Sequence, residues 1–488
     1  MTVRTRYAPS PTGVPHIGNI RTALFDYLLA KRHGGQFVLR IEDTDRARLD
    51  PAALPKIIES LRWLGIDPDE GPGIGGPYGP YVESERLEYY RSAADRLLAQ
   101  GDAYECWCSS ARLDAVRAEQ ARNKLPPKYD RRCRDAEGRA ASRKEADGEG
   151  RDCVVRFKTP LQGEITLHDA IFGDTTFDLA TLDDFVMLKS DGYPTYHLAY
   201  IVDDEMMQIT HVLRGNEWIS SAPRHLLIYR ALGYEPPVIA HLPQVVGPDG
   251  AKLSKRHGAT SIFEYRDQGY LPDAIFNFLG LMGWSLDDKT EIISREEFIA
   301  NFTLDRVVRN PAVFNVEKLT WMNGVYIREM PLGRLVDLVA ERLDADLPPS
   351  VPRPVDRDVA ARIVPLIRER IKLLSEVKDY CDFFFVDGLS YSREDLLGKA
   401  FKDRAEDARS ALAAVVARIE QMPSFAHDAL EAELRALAES LGFRAGDLFS
   451  LVRVAVTGRK VTPPLFESME ILGRERCLAR IGDASAML

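Results

Sequence analysis

Residues 3–45 read VRTRYAPSPTGVPHIGNIRTALFDYLLAKRHGGQFVLRIEDTD, and the fold follows from this stretch. Val3 to Tyr7 is a short strand candidate. In the loop that follows, Pro9, Pro11 and Pro15 remove backbone donors and hold off any helix until His16. From Gly18 onward Ile20, Ala23, Leu24, Tyr27 and Leu28 recur at helical spacing, and the pattern runs out at His33-Gly34-Gly35. Phe37 to Ile41 makes a second strand, which closes on Glu42-Asp43-Thr44-Asp45. Strand, helix and strand within about 40 residues form a βαβ unit and so imply a parallel sheet. In open parallel sheets ligands lie at the carboxyl ends of strands and over helix N-termini. The loop holding Ser10 and His16, and the turn holding Glu42, are therefore where a ligand is expected.

Outward from this start, eight of the ten residues Gly71 to Pro80 are Gly or Pro, which marks an irregular loop. A helix candidate follows at Glu85 to Gln100, then a segment with Cys106, Cys108 and Cys133 and a dense run of basic residues from Arg112 to Lys144. Strand-like text returns at Val154 to Phe157 and at Phe185 to Leu188, so residues 101–190 read as an insertion into the first sheet. Beyond Leu271 the pattern is mainly helical. Pro348, Pro349, Pro352 and Pro354 form the clearest linker, and Leu412, Val415, Ile419, then Leu430, Leu434, Leu437 and Leu441, give two amphipathic stripes. There is no internal repeat.

Composition narrows the class. At roughly 150 residues per domain, 488 residues suggest about three domains. Hydrophobic residues at 45% and charged residues at 28% exclude wholesale disorder. No run approaches about 18 apolar residues, so no spanning helix is expected, and the arginine-containing start predicts no secretory signal. Six cysteines are too few for a disulfide scaffold, and the three that crowd together suggest metal ligation in a reducing cytosol. A net charge of −10 excludes a protein basic all over but leaves room for a local basic face.

Two short strings carry the chemistry. His16-Ile17-Gly18-Asn19 opens a helix, and about 235 residues later Lys252-Leu253-Ser254-Lys255-Arg256 follows Gly247-Pro248-Asp249-Gly250. Each is weak alone. Together and in this order they resemble the HIGH and KMSKS signatures of class I aminoacyl-tRNA synthetases. Arg6 to Gly13, Arg40 to Asp45, Ser190 to His197 and Val454 to Gly458 extend the likeness, from residue 3 to about 480, to the bacterial glutamyl-tRNA synthetases. Asn19 replaces the second histidine of the first signature, and Leu253 the methionine of the second.

The resemblance implies an α/β fold: a Rossmann-like parallel-sheet catalytic domain with an inserted α+β acceptor-binding domain, followed by an all-α anticodon-binding region. It divides the chain into a catalytic domain at 1–100 and 191–250, an acceptor-end-binding insertion at 101–190, a KMSKS loop and stem-contact domain at 251–330, and a helical anticodon-binding region at 331–488. It implies ATP-dependent ligation of L-glutamate to the 3′ end of tRNA(Glu) through a glutamyl-adenylate. His16, Gly18, Asn19, Lys252, Ser254 and Lys255 would meet ATP with Mg, with His16, Lys252 and Lys255 catalytic. Arg6, Ala8, Ser10, Glu42, Tyr196 and Arg214 would hold glutamate.

Elementary chemistry agrees with these assignments. Carboxylate attack on the α-phosphate requires charge neutralisation, which a helix N-terminus and mobile lysines supply. Guanidinium forks suit the two carboxylates of glutamate, and Glu42 suits its ammonium. The plainer alternative is that Arg6 and Glu42 form an internal ion pair. Arginines from Arg112 to Arg134 are expected to contact phosphates near the acceptor end, and Arg368 and Arg370, on a helix from Ile363 to Leu374, to read an anticodon base. Trp284, Trp321 and Tyr326 are expected in cores. Cys106, Cys108, Cys133 and Asp135 resemble the family's zinc-binding insertion, with Asp135 where histidine is common; a Cys₃Asp structural zinc is expected, against a reading of three idle thiols.

Rival readings each meet an obstacle. A glutaminyl-tRNA synthetase would carry a β-barrel anticodon region. The short paralogue that glutamylates a tRNA base lacks the helical tail, as do small nucleotidyltransferases, and a non-catalytic relative should have lost signature residues. The expected partners are tRNA(Glu), L-glutamate and ATP, with no membrane. The expected state is a cytoplasmic monomer.

Overall fold

The computed structural model describes residues 2–254 and 260–488. It divides into two units, residues 1–265 with 272–316, and residues 266–271 with 317–488.

The first unit grows from the βαβ start. Strands β1 (Arg4–Tyr7) and β2 (Gln36–Leu39) pair in parallel, Arg4 opposite Gln36 and Tyr7 opposite Leu39. Between them helix α1 (Ile17–Arg32) buries Ile20, Leu24, Phe25 and Leu28, the apolar stripe visible in the sequence. The return to β2 is tight, since a Cβ on Gly35 would lie 2.0 Å from the Val3 carbonyl oxygen. In chain order there follow α2 (Ala53–Leu64), α3 (Leu87–Gln100), β3 (Ala103–Cys106), α4 (Ser110–Arg122), α5 (Ala136–Glu149), β4 (Val154–Phe157), β5 (Glu164–Asp169), β6 (Gly173–Asp178), β7 (Val186–Leu188), α6 (Tyr196–Met206), β8 (His211–Gly215), α7 (Ala222–Leu232) and β9 (Val238–Leu242).

β3, β4 and β7 form an antiparallel sheet of their own. β5 and β6, which also lie within 101–190, instead join the order β6-β5-β9-β8, with β8 and β9 parallel. Ile165 and Leu167 are buried on alternate positions of β5, and Leu167 packs with Ala222 and Ile239. β1 runs beside β8, where the Arg4 carbonyl accepts from Thr210 N at 3.0 Å. β1 therefore has β2 on one side and β8 on the other. Its carboxyl end is a point where the strand order reverses, the usual crevice for a ligand.

The second unit is helical, and among its described residues there is no strand. Leu412, Val415 and Ile419 are buried along the helix Ala405–Gln421, and Leu430, Leu434 and Leu437 along His427–Ser440. Leu441 caps the latter and stays exposed. The proline stretch is a pinned turn inside this unit: the Arg353 guanidinium donates to the carbonyls of Asp344, Leu347, Pro348 and Val351. The helix expected to reach Leu374 ends at Ile367. Glu376 takes the amides of Lys372 and Leu373 at 2.6 and 3.1 Å and turns the backbone there. Trp284 is buried as expected, whereas Trp321 is exposed. No helix among the described residues is long and apolar enough to cross a membrane.

Candidate active site

The first turn of α1 meets the ends of β8 and β9 and the Lys252 turn around a cavity of about 360 Å³, lined by His16, Gly18, Asn19, Glu217, Gln244 and Lys252 among others. Lys252 is held there by a hairpin-like turn in which Leu253 N donates to Val245 O at 3.2 Å. His16 caps α1, its Nδ1 accepting from Gly18 N at 3.0 Å, which leaves the ring proton on Nε2. Burial, with Lys252 nearby, holds this imidazole below its usual pKa, so it is neutral at pH 7.

Amides at a helix start are ordinarily free to meet an anion, but here they are already taken. Ile17 N donates to Thr260 O, Gly18 N to His16, and Asn19 N to His16 O at 2.8 Å. The helix offers its dipole and the His16 Nε2–H, but these three amides have partners within the fold. Gly18 matters to the cap, because a Cβ there would sit 3.3 Å from His16 Nδ1. Ser254 is half-buried beside Leu253, and Lys255 lies outside the described residues.

The other expected residues gather beside this cavity, at the carboxyl ends of β1 and β8. Arg6 and Arg214 both lie over the Tyr200 ring, 5.6 and 5.0 Å from its centroid. Their partners differ in kind. Arg6 pairs with Asp204 at 3.3 Å and donates to Leu213 O. Arg214 donates only to neutral acceptors: His241 Nε2 at 3.0 Å, Tyr196 Oη at 3.2 Å and His225 Nδ1 at 3.4 Å. No ion pair to Arg214 occurs among the described residues. Its charge is therefore uncompensated, and one N–H on each terminal nitrogen remains for a carboxylate.

Glu42 is buried and pairs with Arg40 at 3.2 Å, not with Arg6, so the plainer alternative of an internal Arg6–Glu42 pair gives way to Arg6–Asp204 and Arg40–Glu42. Burial raises the Glu42 pKa, a penalty that an incoming ammonium would offset. Arg40 also reaches Asp204 at 2.5 Å, and Asp203 binds Arg86 at 2.7 Å and the Tyr90 hydroxyl. Ala8 and Ser10 follow β1, Ala8 half-buried and Ser10 exposed.

In the insertion, Cys106, Cys108 and Cys133 place their sulfurs within 4.8 Å of one another, and Cys108 and Cys133 are 3.7 Å apart. Zinc at about 2.3 Å from each sulfur requires tetrahedral S···S edges of about 3.8 Å, so the donor set fits. Asp135 is not the fourth member. It is the N-cap of α5, and its Oδ1 accepts from Gly138 N at 2.7 Å, so the helix start turns the carboxylate onto an amide of its own first turn. An oxygen beside the cluster is the Tyr129 hydroxyl, 3.3 Å from Cys106 Sγ and 3.6 Å from Cys108 Sγ, closer to Cys108 than the Ser142 hydroxyl at 4.0 Å. With Zn–O near 2.0 Å the corresponding edge is about 3.5 Å. Tyr129, four residues before Cys133, carries no sequence signal that would have singled it out.

The arginines of the insertion are largely neutralised within it. Arg131 and Arg134 pair with the buried Asp184 at 3.3 and 2.9 Å, Arg132 with Glu145, and Arg112 with Asp130. Arg368, expected at an anticodon base, donates instead to the carbonyls of Arg328 and Met330, where the helix Val316–Glu329 ends. Arg370 is exposed.

Comparison with known proteins matches residues 2–321 to the catalytic domain of class I tRNA synthetases (E and Q) and residues 334–485 to an anticodon binding domain. The glutamate–tRNA ligase of Dehalococcoides mccartyi strain 195 is 51% identical over 486 residues, covering 100% of this chain and 98% of that one. That of Moorella thermoacetica is 45% identical over 99% of this chain and 98% of its own. A crystal structure of the glutamate tRNA ligase of Elizabethkingia meningosepticum in complex with its amino acid superposes with a TM-score of 0.88 at 35% identity, covering 100% of both chains.

Proposed function

The chain belongs to the glutamate–tRNA ligases among the class I tRNA synthetases, and from that membership we propose how its own residues divide the work of charging tRNA(Glu). The reaction is ATP-dependent ligation of L-glutamate to tRNA. The glutamate α-carboxylate attacks the α-phosphorus of ATP, pyrophosphate leaves, and a terminal ribose hydroxyl of tRNA then displaces AMP from the glutamyl-adenylate. The nucleotide arrives as its magnesium complex.

The observation that supports the division is the charge pattern at the ends of β1 and β8. Arg214, which has no acidic partner among the described residues, takes the side-chain carboxylate of glutamate, aided by Tyr196. Arg6, already tied to Asp204, holds the α-carboxylate side of the substrate with Ser10 and the backbone at Ala8. Glu42 faces the α-ammonium. His16 donates from Nε2 to the phosphates beside Gly18 and Asn19, with Lys252 lining the same cavity; Ser254 and Lys255, which follow Lys252 in the sequence, are assigned to the phosphates with it. As charge spreads over the phosphoryl oxygens, these fixed donors stabilise it without reorganising. Adenylate formation waits for bound tRNA, whose anticodon is met by the helical unit with Arg370.

We further propose one structural zinc on Cys106, Cys108 and Cys133, completed by the Tyr129 oxygen. It would tie the end of β3 to the loop before α5 and supply no catalytic position.

Aminoacylation of tRNA(Glu) with labelled glutamate tests the reading. Arg214→Ala should mainly raise the apparent KM for glutamate, whereas Lys255→Ala should lower kcat by about 10²-fold with little change in that KM. Loss of the same parameter by the same amount in both variants would refute the division.

A further inference from the structure

His241 and Asp169 were not singled out by the sequence, yet both are wholly buried behind Arg214. His241 lies on β9 and Asp169 ends β5. The Asp169 carboxylate is saturated: Oδ1 accepts from Ile171 N at 2.9 Å and Phe172 N at 2.7 Å, and Oδ2 from His241 N at 3.1 Å and His241 Nδ1 at 2.6 Å. Four donors on one carboxylate keep it ionised, and its pKa is held below the usual range by the bonds from His241 and the two amides despite the opposing burial. With the ring proton fixed on Nδ1, His241 Nε2 can only accept, and it accepts from Arg214 Nε at 3.0 Å. The order of donors is therefore set from the carboxylate outward: Asp169 selects the tautomer, the tautomer selects the edge of the guanidinium that is tied down, and the opposite edge keeps its two free N–H groups.

Resting on the reading of Arg214 as the anchor for the substrate's side-chain carboxylate, we infer that Asp169 and His241 are positioning residues that aim the Arg214 fork and thereby set the preference for glutamate over glutamine. A carboxamide presents one NH₂ where the fork requires an acceptor, so a correctly aimed fork leaves an N–H facing an N–H and rejects it. A fork free to rotate would meet the single carboxamide oxygen with one nitrogen and lose most of that penalty.

Substitution at His241 separates the two links. In His241→Gln the amide reaches the Nε2 position and can still accept from Arg214. In His241→Asn the amide reaches only the Nδ1 position, so the Asp169 contact survives and the Arg214 contact is lost. Asp169→Asn is avoided because an NH₂ there would oppose backbone amides and threaten folding. With saturating ATP and tRNA, His241→Asn is expected to raise the glutamate KM tenfold or more, with kcat within threefold, and to reduce the preference for glutamate over glutamine by a similar factor. His241→Gln should stay within threefold of the parent. A purely structural role predicts the reverse ranking, since Asn keeps the buried Asp169 satisfied.

A pH profile gives the second readout. An imidazolium cannot accept from Arg214, so in the parent the glutamate KM should rise as pH falls below neutrality, and this limb should vanish in His241→Gln. The groups facing His241 are Asp169 on β5, Arg214 on β8, Glu217 after β8 and His225 on α7. His225 is held well below the usual imidazole pKa by burial and by Arg214, so its own charging falls at lower pH. Equal glutamate KM in the Asn and Gln variants, or an unchanged acid limb in His241→Gln, overturns the inference. Arg214→Lys, which keeps the charge and loses the fork, distinguishes the underlying reading: if its glutamate KM is unchanged, the assignment of Arg214 itself fails.

Discussion

His16 has two nitrogens with separate duties. Nδ1 caps α1 by accepting from Gly18 N, and the proton left on Nε2 faces the cavity shared with Lys252. The two duties can be parted. Asn at this position keeps a capping oxygen but has no donor in the place of Nε2, so His16→Asn should retain the melting temperature while lowering kcat by about 10²-fold. His16→Ala should show the same kinetic loss and also cost about 1 kcal/mol from the missing cap. Thermal melts run beside single-turnover charging separate the two; a normal kcat in His16→Asn would take the ring out of the chemistry. The same residue shows where sequence reasoning reached and where it stopped. The helix start at His16 was legible from the prolines before it. That its amides were already bonded to Thr260 O and to His16 itself was not, because Thr260 lies some 240 residues away in the sequence.

At the level of elements, β1, α1 and β2 were legible because the apolar period changes from two to near four and back within one short stretch. Adjacency in sequence misled where a side chain has to choose between two partners. Asp135 sits two residues past Cys133, but it also begins α5, and the helix took the carboxylate. The arginines before α5 look like a phosphate-binding face when only like charges are counted, yet Asp184, 50 residues from Arg134, neutralises two of them. The aspartates that hold Arg6, Arg40 and Arg86 sit side by side as Asp203 and Asp204 near the end of α6, where nothing in the alternation announces them. The zinc proposal turns on the same choice. Protein purified without chelator is expected to carry one zinc per chain by elemental analysis. Tyr129→Phe should weaken zinc retention by about 10- to 100-fold in a competition assay, a range typical of lost metal-site contacts. Asp135→Ala should keep the metal and lose about 1 kcal/mol of stability as a lost cap. Zinc lost from the Asp135 variant and kept by the Tyr129 variant would restore Asp135 as the ligand.

For the whole molecule, the two arginines assigned to the anticodon part company. Arg368→Ala should lower the denaturation midpoint, because it removes donors from the Arg328 and Met330 carbonyls. Arg370→Ala should leave stability unchanged and reduce the preference for tRNA(Glu) over its anticodon variants; a preference equal to that of the parent would remove Arg370 from recognition. Acid stability follows from buried histidines. His197 is pushed down to about 4 by burial with Arg224 and Arg214, and His225 lies well below its usual value for similar reasons. Between the unfolded value near 6.5 and about 4 the unfolded chain binds more protons. This stabilisation is therefore complete above about pH 6.5 and lost as pH falls toward 4. Urea midpoints at pH 7 and pH 5 should differ less in His197→Gln than in the parent. A last consequence concerns synthesis on the ribosome. Residues 266–271 belong to the second unit, although the chain then returns to the first until residue 316. Their native partners include Asn323, whose Oδ1 takes the Leu271 amide, and Leu374, whose amide donates to Gly269 O. Leu374 is translated roughly a hundred residues after Gly269, about 5–20 s later at ordinary elongation rates. For that interval Tyr270 and Leu271, both buried in the finished protein, have left the ribosome without the residues that cover them. A pulse of protease on stalled nascent chains should cut this hexapeptide until the arrest point lies far enough beyond Leu374 for that residue to have left the exit tunnel, and spare it afterwards.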